Sequence, residues 1–183
     1  MHSNGMPVGT PAPDFRLTGV DRNTYTLDTF ADAEVLVVVF TCNHCPYAIA
    51  SEDRLIDLQK KYVQRVRFVL INPNDAENYP EDSFDAMVDR ARAKDFPFPY
   101  LHDETQEAAR AYDAVCTPDI FVFDKERRLQ YNGRIDDNWK DPAAATRHDL
   151  DTVIADVLAG RSISIHPVPS MGCSIKWKPG ANR

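Results

Sequence analysis

The chain has no hydrophobic run long enough to cross a bilayer. Its longest is the six residues Val35–Phe40, where a spanning helix needs about 20. It also lacks a basic stripe: 21 Lys and Arg stand against 28 Asp and Glu, a formal charge of −7. That balance argues against nucleic acid and against an anionic membrane surface as partners. The start, Met1-His2-Ser3-Asn4-Gly5-Met6-Pro7, has neither the basic nor the apolar stretch of a secretory signal, so the expectation is a soluble, cytoplasmic protein. Cysteine is scarce. Four in 183 residues do not make a disulfide scaffold, and in a reducing compartment a close cysteine pair is more often catalytic or metal-binding than a staple. There is no internal repeat, low-complexity stretch or dividing linker. One domain over residues 1–183 is expected, with a core at about 7–160 and an irregular tail at 161–183.

The informative segment is Cys42-Asn43-His44-Cys45-Pro46. It follows the apolar run Val35–Phe40 and opens a helical stretch, so a C-x-x-C pair stands at a strand-to-helix junction. Unpaired N–H groups and the positive end of the macrodipole favour a thiolate there, and the thiolate is the nucleophile. Cys42, at the edge of the first turn, is expected to be the exposed attacker, and Cys45 the resolving thiol. His44 precedes the second cysteine, and its hydrogen bond or charge would stabilise the Cys42 thiolate.

The remaining pattern alternates strand and helix. Residues 7–13 form a proline-rich extended entry, and Phe15–Leu17 and Thr24–Leu27 flank a turn and read as a hairpin. The run 35–40 is a strand buried on both faces, followed by a helix from Pro46 to about Tyr62 and a strand at Val66–Ile71. Phe84, Met87, Val88 and Ala91 give the spacing of one helix running from Tyr79 to Asp95. A proline-punctuated strand at 96–101 suits a sheet edge, and Thr105–Tyr112 a short helix. Strands at Asp119–Phe123 and Leu129–Arg134 precede a last helix at about 146–159, capped by Gly160.

Three further stretches carry a resemblance: Pro11-Ala12-Pro13-Asp14-Phe15, Val115-Cys116-Thr117-Pro118-Asp119 before Ile120–Asp124, and Tyr131-Asn132-Gly133-Arg134-Ile135-Asp136. With the C-x-x-C segment, in this order, the chain resembles the thioredoxin-like superfamily. The nearest branch is that shared by TlpA/ResA-type thiol–disulfide oxidoreductases and the AhpC/TSA peroxiredoxins, and the likeness spans roughly residues 7–160. It implies an α/β thioredoxin-like fold: a central mixed β-sheet flanked by helices, with an N-terminal β-hairpin extension and a βα insert made by the helix near 81–94 and the extended piece at 98–101. It implies a cis Pro118 against the dithiol, and a Thr117 whose backbone pairs with an incoming extended peptide. The catalytic residues would be Cys42 and Cys45, supported by His44, Thr117, Pro118 and Cys116. The reaction would be thiol–disulfide exchange, as reductase or isomerase, on a protein or small-molecule disulfide, with an external reductant or oxidant to recycle the pair and no cofactor or bound metal.

Some positions depart from the family pattern. Thr41 replaces a Trp, Leu36 a buried Asp and Ala48 a Glu, so both familiar carboxylate proton acceptors are missing. Two alternatives stay open. A peroxiredoxin-like peroxidase needs a Pro-x-x-x-Thr/Ser-x-x-Cys cradle, which the position of Thr41 does not supply. A Cys-based metal-binding protein would use the two thiolates, His44 and Cys116, but no second ligand pair is present. Cys116 reads either as a small buried side chain or as a third thiol near Cys42. Cys173 sits in Gly172-Cys173-Ser174-Ile175-Lys176-Trp177, an ending similar to that of bacterial proteins of this group. The tail could fold back with Trp177 as its anchor, but sequence assigns Cys173 no partner. Asp136, Asp137 and Asp141 around Trp139 read as a solvated loop, and His2, His102, His148 and His166 as surface or capping residues.

Overall fold

The computed structural model describes residues 5–180, so His2 and most of the leader reading at Met1–Pro7 lie outside the described residues. Among the described residues, nine strands and four α-helices follow in the order β1 (Leu17–Gly19), β2 (Thr24–Tyr25), β3 (Val35–Phe40), α1 (Pro46–Lys61), β4 (Val66–Asn72), α2 (Phe84–Ala93), β5 (Tyr100–His102), α3 (Glu107–Ala111), β6 (Cys116–Thr117), β7 (Asp119–Phe123), β8 (Leu129–Asn132), α4 (Asp149–Leu158) and β9 (Cys173–Ser174). Seven strands form one mixed sheet in the order β2-β1-β5-β4-β3-β7-β8. β3, β4 and β5 run parallel, while β7, β8 and the β1–β2 hairpin are antiparallel to their neighbours.

β3 lies between β4 and β7 and is fully buried along its length. Alternation in a strand sends successive side chains to opposite faces. Val35, Val37 and Val39 therefore join Leu55, Phe68, Leu70, Met87, Val153 and Ile154 on one side of the sheet. Leu36, Val38 and Phe40 join Phe30, Ile71, Tyr112, Phe121 and Phe123 on the other. A continuous apolar run is what a strand needs when both of its faces are covered. Among the described residues, no helix is long and apolar enough to cross a membrane.

Four local expectations are corrected. The helix predicted over Tyr79–Asp95 is broken: a single 3₁₀ turn at Pro80–Asp82 precedes α2, and extended Ser83 caps α2 by accepting from Ala86 N. The strand after the prolines is internal, because β1 covers its outer side. The last helix starts at Asp149, since the Thr146 and Arg147 amides donate to Asp137 Oδ1 instead of continuing a helical turn. The tail is less irregular than expected: β9 pairs antiparallel with β6, opposing Cys116 to Ser174 and Thr117 to Cys173.

Candidate functional site

β3 delivers the chain to the dithiol. Thr41 N still bonds Ile71 O at 2.8 Å, after which the chain leaves the sheet and α1 begins. Cys45 is the N-cap of α1, and Pro46 takes the first helical position, where its missing N–H costs nothing. The peptide bond between Thr117 and Pro118 is cis, as the resemblance implied. Thr117 meets both thiols. Its Oγ1 lies 3.2 Å from Cys42 Sγ, and its carbonyl accepts from Cys45 Sγ at 3.1 Å. Sulfurs separated in sequence from Thr117 by more than 70 residues are thus placed on one residue by the antiparallel pairing of β3 with β7.

The two thiols share their ionisation. Cys45 is pushed down to about 4, first by a hydrogen bond from Cys42 and further by bonds from Cys173 and the Ala48 amide. Cys42 is held above the usual thiol range by that same bond, by burial, and by the nearby Asp82 charge. The two sulfurs thus ionise as one coupled pair, with the bond between them lowering Cys45 and raising Cys42. Cys42 is not exposed as the sequence led one to expect. Cys42 is only 1% exposed and Cys45 is fully covered. The Thr117 contacts suit the proton arrangement in which the Thr117 hydroxyl donates to a Cys42 thiolate and a Cys45 thiol donates to the Thr117 carbonyl.

The carboxylate missing from the sequence motif is present in space. Asp82, in the 3₁₀ turn between β4 and α2, is fully buried. Its Oδ1 accepts from Asn43 N at 2.7 Å and from Asn72 Nδ2 at 3.1 Å. Its Oδ2 accepts from Asn74 Nδ2 at 2.9 Å and bonds His44 Nδ1 at 2.7 Å. Since Oδ2 is an acceptor, His44 Nδ1–H is the donor, which fixes the ring. Tyr79 stacks on that ring at 5.5 Å with an interplanar angle of 6°. Asn43 is held as well, donating to Glu81 O and accepting from Tyr100 O–H. No sequence signal marked Asp82, because it lies 38 residues from His44 in what reads as a helix.

One ligand atom from each of Cys42, His44 and Asp82 lies within 4.8 Å of the other two, which is the spacing of a metal cluster. Asp82, however, already accepts four hydrogen bonds, about the capacity of a carboxylate, so it is spent on positioning and poorly suited to a cation. Cys116 stands apart. Its Sγ points to Pro118 O at 3.4 Å and Ser170 O at 4.0 Å, and burial pushes its thiol up, as for a packed small side chain. The Asp-rich loop is not simply solvated: Arg54 binds Asp136 at 2.6 Å and the carbonyls of Asn138 and Trp139, and Trp139 packs on Tyr47 at 4.1 Å. The Thr117 edge expected to receive a peptide is already occupied, because Cys173 pairs with it.

Comparison with known proteins agrees with this geometry. The Redoxin family model matches residues 7–154. An uncharacterised conserved protein from Geobacillus kaustophilus is 43% identical, with 97% of this chain and 96% of that one covered and a TM-score of 0.92. A hypothetical protein from Sinorhizobium meliloti 1021 is 38% identical over 97% and 98% of the two chains, with a TM-score of 0.90. The peroxidoxin BcpB from Mycobacterium tuberculosis, 20% identical over 86% of this chain and 99% of its own, shares the fold at a TM-score of 0.66. No curated protein matches the chain. With its dithiol at a strand-to-helix junction, on a mixed sheet of thioredoxin type, the chain belongs to the Redoxin family of the thioredoxin-like superfamily.

Proposed function

We propose that the protein is a thiol–disulfide oxidoreductase working through a Cys42–Cys45 redox couple in a reducing, cytoplasmic setting. The observation that carries this reading is the placement of two thiols at the start of α1, both in contact with Thr117 beside the cis Pro118. The start of a helix favours a thiolate, and the thiolate is the form that attacks a disulfide.

As substrate arrives, the proton on Cys42 passes along its bond to the Cys45 thiolate, and the Thr117 hydroxyl donates to Cys42. The Cys42 thiolate attacks a substrate disulfide, forming a mixed disulfide and expelling one substrate thiolate, which takes the proton back from Cys45. Cys45 then attacks Cys42 Sγ and expels the second substrate thiolate, leaving the Cys42–Cys45 disulfide. Two electrons have passed to substrate, and an external dithiol must restore the couple, since the chain carries no flavin or nucleotide motif. The reverse direction uses the same atoms. The His44–Asp82 bond keeps the imidazole beside Cys42 in a fixed orientation, replacing the carboxylates absent at Leu36 and Ala48. A peroxidase reading lacks the Thr-x-x-Cys cradle.

Cys45→Ser removes the resolving sulfur and is expected to accumulate a mixed disulfide on Cys42 when offered a model disulfide, read by intact mass. If neither Cys45→Ser nor Cys42→Ser retains an adduct, while wild type forms no Cys42–Cys45 disulfide across graded glutathione buffers, the exchange reading is wrong.

A further inference from the structure

Cys173 packs against the dithiol, and the exchange mechanism leaves its sulfur unused. It opposes Thr117 in the β6–β9 pair, and side chains directly opposite in an antiparallel pair share a face. Thr117 turns its hydroxyl to Cys42, so Cys173 faces the dithiol too. There it packs with Cys42, Cys45, Ala48 and Tyr47.

The placement is enforced on both flanks. On one side Ser170 Oγ donates to Gly133 O at 2.8 Å, and Val168 O accepts from Arg134 N at 3.0 Å. On the other, Ile175 N donates to Val115 O at 3.2 Å, Lys176 N to Asn74 Oδ1 at 2.9 Å, and Ile175 is buried in the second core cluster. At Gly172 the backbone lies so close to the cis-proline loop that an added Cβ would stand 2.2 Å from Thr117 O, an approach only glycine permits. Cys173 also differs from its neighbours in exposure: Cys42 and Cys45 are covered, whereas Cys173 is half-buried.

We propose that Cys173 is a third redox thiol, which exchanges with the Cys42–Cys45 disulfide to form Cys45–Cys173 and presents the oxidised sulfur to an external thiol reductant. The proposal rests on the Cys42–Cys45 couple proposed above and adds its route of recycling. The Cys173 thiolate attacks Cys45 Sγ. The Cys45–Cys173 bond forms, the Cys42–Cys45 bond breaks, and Cys42 leaves as a thiolate that takes up the proton Cys173 released. No electrons enter or leave in this step. The external thiol then attacks the half-exposed Cys173 Sγ, expelling Cys45, and a second equivalent releases Cys173. The tail strand thus occupies, from within the chain, the place beside Thr117 where an extended peptide carrying a substrate cysteine would pair.

The test is a disulfide map of the full-length protein oxidised with glutathione disulfide, quenched in acid, alkylated and digested with trypsin without reduction. Cys42 and Cys45 share the tryptic peptide 23–54, Cys116 lies in 111–125 and Cys173 in 162–176, so the Cys42→Ser variant makes the Cys45 partner unambiguous. The expected result is a 23–54/162–176 cross-link in wild type and as the main intramolecular product of Cys42→Ser, lost in Cys173→Ser. If Cys42→Ser ends only as glutathione adducts and wild type shows only the loop within 23–54, Cys173 is a packing residue and the dithiol reading stands. If the cross-link forms but Cys42 never pairs with Cys45, the proposed couple is wrong and the recycling route through it falls too. Should Cys42→Ser fail to fold, presence or absence of the cross-link in wild type decides.

Discussion

Asp82 shows how one residue sets the chemistry of a site whose sulfurs lie elsewhere in the sequence. Its carboxylate accepts from Asn43, Asn72, Asn74 and His44 while fully buried, and its charge is one of the causes that keep the Cys42 thiol protonated, after the Cys45 bond and burial. Reduced protein is therefore expected to lose the first proton of the coupled pair near pH 4 and the second only well into the alkaline range. Asp82→Asn removes the charge, so the second step moves to lower pH. The change also turns one acceptor into a donor facing existing donors, and it should cost about 1–3 kcal/mol of stability. Ultraviolet thiolate absorbance against pH, with urea unfolding alongside, reads both effects. A second step that stays in place would remove Asp82 from the electrostatics of the site.

Among the elements, β9 is short but packs Cys173 against the dithiol. Two residues pair with β6, and their seat depends on the absence of a side chain at Gly172. Gly172→Ala forces Cβ against the Thr117 carbonyl, which is backbone and cannot swing aside. The strain of such an insertion is about 1–3 kcal/mol, enough to lift the strand. Alkylation of Cys42 and Cys45 in the reduced protein should then accelerate, as followed by mass. An unchanged rate would mean that the tail does not guard the pair. The 3₁₀ turn at Pro80–Asp82 is a comparable case. An uninterrupted helix would carry Asp82 along its own axis, whereas extended Ser83 ends the turn and caps α2, leaving Asp82 free to point back at the loop of Asn43 and His44.

For the molecule as a whole, the sheet separates two apolar clusters, one on each face. Leu36 occupies the place where the thioredoxin pattern has a buried acid, and here it is fully buried among Phe121, Phe123 and Leu129. Its role is packing, since Asp82 supplies the carboxylate from the other end of β3. Leu36→Ala should accordingly destabilise the protein by about 2–5 kcal/mol in urea and leave the thiolate titration of the folded form unmoved. A shifted titration would show that the site feels the core beneath it.

Local sequence was enough for several features. The apolar run 35–40 had to be a covered strand, Pro46 had to open a helix, and Cys42 and Cys45, one turn apart, had to share that helix start. With Thr117-Pro118 in its place, these residues also carried the family resemblance, and the chain's membership of the Redoxin family agrees with it. All of this depends on neighbours within a few residues, where periodicity and capping chemistry act. Asp82, Cys173 and the tie between Arg54 and Asp136 depend instead on contacts across tens of residues. No local propensity encodes them: they exist only once strand order brings the β4–α2 turn, the cis-proline loop and the tail to the same end of the sheet. The same assembly buried Cys42, against the expectation of exposure, and set both sulfurs against Thr117. Sequence thus determined that Cys42 and Cys45 stand together at the start of a helix, while tertiary structure decided what covers them and which groups face each sulfur, because access and ionisation depend on the groups that packing places around a sulfur.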